Sequence, residues 1–160
     1  MMGGVSTSAE QHPAGAPLTL YLVKRLELVV RALLDDALRP LGLTTLQYTA
    51  LTVLEASGAL SSAQLARRSF LRPQTMHEMV LALEKRGLIA RTPKAGNKRV
   101  LLAGLTDAGR TLLADCAPAI AEVEHALLAD LSPGQRATFR EGLQHGVTAL
   151  GALLRRSQDP

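Results

Sequence analysis

A chain of 160 residues, 47% hydrophobic and 20% charged, is long enough for one domain with a sizeable core and too short for two ordinary ones. No stretch approaches the roughly 18 apolar residues that a membrane span requires, and a single cysteine excludes an intrachain disulfide framework or thiolate metal cluster. Four aromatic rings are too few for a platform that stacks single strands.

Residues 1–17 are rich in Gly, Ser, Ala and Pro, lack periodicity and read as a disordered tail. They hold no basic segment followed by an apolar one, so no signal peptide is expected and the chain is placed in the cytoplasm. From Leu18, the apolar residues Tyr21, Leu22, Leu26, Val29, Val30, Leu33, Leu34 and Leu38 follow helical spacing until Pro40 and Gly42 break it. Asp35-Asp36, with Arg31 and Arg39 on neighbouring turns, reads as a solvated pair. Thr44-Thr45-Leu46-Gln47 has capping-box spacing and opens a second helix, which Gly58 closes.

Ser61-Ser62-Ala63-Gln64 is another capping box and starts a short helix to about Arg68. Ser69 to Arg72 then turns the chain into Pro73, a residue preorganised for a first helical position. Met76, Met79, Val80 and Leu83 give the next helix one buried stripe before Gly87 stops it. Its other face carries Gln74, Thr75, His77, Glu78, Leu81 and Lys85. Two helices so joined form the pattern that lays a recognition helix in a DNA major groove. Leu88–Arg91 and Val100–Ala103 are predicted strands, and Thr92 to Arg99 a hairpin loop containing Pro93, Gly96 and Asn97 with Lys94, Lys98 and Arg99. Such a basic hairpin is a wing, able to place a guanidinium in a minor groove and lysines on phosphate.

Thr106-Asp107 caps a long helix with Leu112, Leu113, Cys116, Ile120, Val123, Leu127 and Leu128 on its stripe and a kink expected between Ala114 and Pro118. Ser132-Pro133-Gly134-Gln135 opens the last helix, to about Arg155, with Phe139, Leu143, Val147, Leu150 and Leu154 at helical spacing. The fold class is therefore mainly α: six helices, a winged helix-turn-helix with a small β-hairpin wing, and terminal helices forming a dimerisation region. Residues 1–17 are the tail, 18–43 a dimerisation helix, 44–105 the DNA-binding region and 106–160 the C-terminal dimerisation helices. The terminal helices hold more apolar surface than the central unit covers. A symmetric dimer buries it and presents two recognition helices to successive turns of one duplex.

Charge distribution supports this reading. Residues 61–105 carry nine Lys and Arg against two Glu, a net +7, leaving −3 for the other 115 residues. That concentration is the footprint of a duplex-binding face. The candidate contacts are Arg67 and Arg72 to phosphate, Gln74, Thr75 and His77 on the recognition helix, and Lys94, Lys98 and Arg99 on the wing. Glutamine bonds adenine and threonine meets a thymine methyl. Glu78 is repelled by phosphate unless it reads cytosine or orients a neighbour.

From Leu18 to Arg155 the chain resembles the MarR family of bacterial winged-helix regulators. The resemblance lies in Leu38-Arg39-Pro40-Leu41-Gly42-Leu43-Thr44, Gln47-Tyr48, Leu65-Ala66, Arg72-Pro73-Gln74-Thr75-Met76, Leu83-Glu84-Lys85-Arg86-Gly87-Leu88-Ile89, Asn97-Lys98-Arg99 and Leu105-Thr106-Asp107-Ala108-Gly109-Arg110. It implies a homodimer that binds a palindromic double-stranded operator, usually as a repressor, and is released by a small-molecule effector or oxidant. The family's wing usually reads Asp-x-Arg. Arg99 matches its minor-groove arginine, whereas Asn97 stands in place of the acidic residue that anchors the wing. Family effectors bind where the dimer helices meet the winged domain, which implicates Tyr21, Lys24, Gln47, Tyr48 and His77.

Other constellations are incomplete. Glu122 and His125 form one helical pair, short of the three or four ligands zinc requires, so no metal or cofactor is assigned. Cys116 lies on an inward stripe and reads as an inert thiol. No acid, base or nucleophile set converges at recognisable spacing, and no enzyme is expected. The alternatives are a winged-helix protein-protein interaction module, its basic face meeting an acidic partner, and a metal-responsive regulator.

Overall fold

The computed structural model describes residues 18–157; the expected tail, 1–17, and the last three residues of the 106–160 segment lie outside this range. The elements are α1 (Leu18–Leu38), α2 (Thr45–Ser57), β1 (Leu60–Ser61), α3 (Ser62–Arg68), α4 (Pro73–Lys85), β2 (Ile89–Lys94), β3 (Asn97–Leu105), α5 (Asp107–Leu128) and α6 (Pro133–Arg156). A short 3-10 turn over Arg39–Leu41 ends at Gly42, whose φ of 68° reverses the chain into α2.

All three predicted capping boxes form. Thr44, Ser61 and Ser132 each accept the N–H of the glutamine three residues on, and that glutamine's side chain accepts the cap residue's own N–H. Each box satisfies two donors that a helix start otherwise leaves bare. Thr106 caps α5 by accepting the Gly109 N–H. Pro118 lies inside α5, which continues through it to Leu128.

The core sits where α2, α3, α4 and the start of α5 converge on the inner face of the sheet. Leu38, Leu51, Leu65, Met76, Val80, Leu83, Ile89 and Cys116 are its largest fully enclosed side chains. At about 1.5–3 kcal/mol for each large apolar side chain removed from water, this cluster is the main source of stability. The stripe predicted on α4 is its contribution: Met76, Met79, Val80 and Leu83 are all buried.

Two expectations are corrected. The wing is not two four-residue strands around an eight-residue loop: β2 runs to Lys94 and β3 starts at Asn97, so only Ala95 and Gly96 (φ 79°) turn the chain. Pro93 is tolerated because β2 is an edge strand in the order β1-β3-β2, where a missing N–H need not break a ladder. The pairing jumps from Pro93↔Leu101 to Lys94↔Asn97, so Lys98, Arg99 and Val100 bulge from β3. The strand β1, absent from the sequence reading, exists only because Leu60 and Ser61 pair with Ala103 and Leu102.

Asp35, in turn, is not simply solvated. Its Oδ1 accepts both the Thr45 hydroxyl, at 2.6 Å, and the Thr45 N–H, at 3.1 Å, joining α1 to the start of α2. Those two bonds, the hydroxyl's first, hold its carboxyl below the ordinary value. Asp36 instead pairs with Arg39 on the surface.

Candidate nucleic-acid interface

Helix α4 presents Gln74, Thr75, His77, Glu78 and Lys85 on the face opposite its buried stripe, all exposed. Arg72 occupies its N-cap position with extended backbone, and its side chain makes no cap bond. Gln74 donates from Nε2 to the Glu78 carboxylate at 2.9 Å. Glu78 thus orients a neighbour one turn away on the exposed face.

The nine cations of the +7 segment divide into two sets. Three arginines hold the winged unit together. Arg68 donates to the Ser57 hydroxyl at 2.5 Å, fastening α3 to the end of α2. Arg86 donates to the Gly42 carbonyl at 2.7 Å, fixing the end of α4 to the α1–α2 corner. Arg91, on β2, donates through Nε and Nη2 to one Glu84 oxygen, at 3.0 and 2.7 Å. This last pair is partly shielded, and its hydrogen bonding lowers the Glu84 pKa and raises that of Arg91.

The second set is Arg67, Arg72, Lys85, Lys94, Lys98 and Arg99. All are exposed, and no side-chain hydrogen bond or ion pair among the described residues engages them. Five are residues that the sequence reading assigns to DNA. The sixth, Lys85, belongs to the same basic run but stands at the far end of the recognition helix from Gln74.

At the wing tip, the Asn97 Oδ1 accepts the backbone N–H of Arg99 at 3.2 Å. The amide therefore shapes the bulge through the main chain, and no side chain among the described residues engages the Arg99 guanidinium.

The proposed effector residues are dispersed. Tyr21 lies on α1 with Arg25 over its ring at 5.6 Å, and Lys24 pairs with Glu27 at 3.0 Å. The Gln47 amide is committed to the α2 capping box, and Tyr48 packs against the core. Two clefts stand out, and neither is lined by these four residues. One, of about 410 Å³, lies at the α1–α2 corner beside Arg31, Asp35 and Arg39. The other, of about 470 Å³ and mostly apolar, lies between the start of α1, α6 and Phe70. Among the described residues, no three His, Cys, Asp or Glu side chains gather to hold a metal ion, and no helix is long and apolar enough to cross a membrane.

A helix-turn-helix whose second helix turns its polar face outward, followed by a wing with unpaired cations at its tip, defines the class: a winged helix-turn-helix transcriptional regulator. The MarR family profile matches residues 43–101, from the start of α2 into the wing. The HTH-type transcriptional repressor Rv2887 of Mycobacterium tuberculosis is 36% identical over 129 residues, spanning 81% of this chain and 92% of that protein. The chain belongs to the MarR family. A solved structure of Rv2887 in complex with DNA is 35% identical, covers 81% of this chain and 97% of its own, and superposes with a TM-score of 0.67. A second, in complex with salicylic acid, is 36% identical over 82% of this chain and 97% of its own, with a TM-score of 0.66.

Proposed function

We propose that this regulator is a repressor that binds a palindromic duplex as a homodimer, with α4 in the major groove and Arg99 of the wing in the minor groove. The observation that carries the proposal is the division of the cations: Arg68, Arg86 and Arg91 are used internally, whereas Arg67, Arg72, Lys94, Lys98 and Arg99 are exposed and without side-chain partners among the described residues. Gln74, Thr75 and His77 read bases beside them. Residues 44–105 are the DNA-binding region, and 18–43 with 106–160 are the dimerisation region. Leucines and valines of α1 and α6, such as Leu20, Val29, Val147 and Leu150, are 56–57% exposed and need a covering partner. The protein works in the cytoplasm and catalyses no reaction.

Release follows from a small aromatic acid of the salicylic acid kind, which the similar Rv2887 binds. Tyr21, Lys24, Gln47 and Tyr48 line its site once two protomers meet, and binding favours a dimer in which the recognition helices no longer match the half-site spacing. Retention of the purified chain on immobilised random duplex and on an immobilised acidic protein, with and without salicylate, tests this. Retention on duplex alone, lost with salicylate, is expected. Preference for the acidic protein would instead identify a protein-interaction module.

A further inference from the structure

The turn that aims the recognition helix contains a residue of unusual conformation. Helix α3 ends in a Schellman motif: the Phe70 N–H meets the Arg67 carbonyl at 3.4 Å and the Leu71 N–H meets the Ala66 carbonyl at 3.0 Å. The same pattern ends α4, where Gly87 takes the left-handed position with φ 72°. In the first motif that position is held by Phe70, with φ 54°, the one non-glycine residue of positive φ among those described. Bulky side chains resist this conformation, so the ring has to be held by something outside the turn.

The ring, 49% exposed, lies against Gly151 of α6. A β-carbon added at Gly151 would lie 3.1 Å from Cε1 and 3.2 Å from Cζ of the Phe70 ring, closer than ordinary van der Waals contact. The glycines at 134, 142 and 146 of the same helix face open space. Gly151 is also the only residue of α6 that is buried within the chain. Phe70 and Gly151 both line the apolar cleft of about 470 Å³, so the contact lies at the edge of open space.

We propose that Phe70 is a positioning residue: seated on Gly151, it transmits the placement of α6 to the turn before the recognition helix and so sets the spacing of the two recognition helices. This rests on the reading of α6 as a dimerisation helix. A movement of α6 relative to α1 reaches α4 through one ring.

The test measures the distance between nitroxide labels on Lys85→Cys in full-length dimers carrying Cys116→Ala, without DNA. Phe70→Gly removes the ring while its backbone keeps the left-handed turn without strain. Gly151→Leu fills the seat. Each is expected to keep the dimer and to shift or broaden the label distance by at least about 2 Å, the scale of helix movement at subunit interfaces. The two together should do no more than Phe70→Gly alone. An unchanged distance, additive shifts or dissociation of the Phe70→Gly dimer would overturn the proposal, and Phe70→Gly decides if Gly151→Leu does not fold. Because the distance is read without DNA, failure of duplex binding would leave this result standing.

Discussion

Arg91, on the first wing strand, places two of its nitrogens on a single carboxylate oxygen of Glu84 in the last turn of the recognition helix. The wing thus takes its angle from the helix that it flanks. The folded carboxyl is more acidic than its ordinary value of 4.5, with the Arg91 hydrogen bond as the main cause. Folding is therefore favoured by its deprotonation: the contribution is complete above 4.5 and is lost as pH falls through the lower folded value. In urea titrations, Glu84→Gln should unfold earlier than the parent at pH 7, and the gap should narrow as pH falls below about 4.5. A gap independent of pH would assign the loss to packing.

Arg99→Ala should weaken duplex binding about tenfold to a hundredfold and leave dimerisation intact, because no side-chain partner among the described residues engages the guanidinium. Asn97→Ala removes the bond that shapes the bulge and should produce a smaller loss in the same assay. Binding by Arg99→Ala as tight as the parent at several salt concentrations would remove the wing from the interface.

Gly109→Ala tests how α5 is docked. A β-carbon there would lie 2.2 Å from the Leu88 carbonyl oxygen, which is backbone and cannot swing aside. The Thr106 hydroxyl meanwhile donates to the Gly87 carbonyl at 2.6 Å, holding the two segments together. A loss of about 2 kcal/mol or more in unfolding free energy is expected from the forced separation. A neutral substitution would show that this junction yields.

Cys116 is fully enclosed, and burial, aided by Asp115, pushes its thiol pKa up. A thiol reagent at pH 8 should label it only as fast as the chain opens, and peroxide should leave duplex binding unchanged. Rapid labelling of the folded protein would contradict the inert assignment and make Cys116 a candidate redox switch.

Much of this architecture is local and therefore legible in the sequence. Thr44, Ser61 and Ser132 announce their helices through residues three positions away, and Pro73 and Gly87 bracket the recognition helix within a few residues of themselves. What escapes depends on distant partners. Leu60 and Ser61 become a strand only against β3, Asp35 finds Thr45 across a corner, and Phe70 adopts a glycine's conformation against a helix far along the chain. Charge clustering marks the candidate interface. Only the fold reveals that Arg68, Arg86 and Arg91 are spent on hydroxyl, carbonyl and carboxylate partners inside it.

The most direct measurement is the salt dependence of duplex affinity for single alanine variants of the two arginine sets. Each of Arg67→Ala and Arg72→Ala takes one proposed phosphate contact from each protomer, and should lower the magnitude of the slope of log K against log salt by about 2. Arg68→Ala and Arg86→Ala should leave the slope unchanged. Equal slopes for all four variants, or affinity insensitive to salt, would contradict the assignment of this surface to DNA.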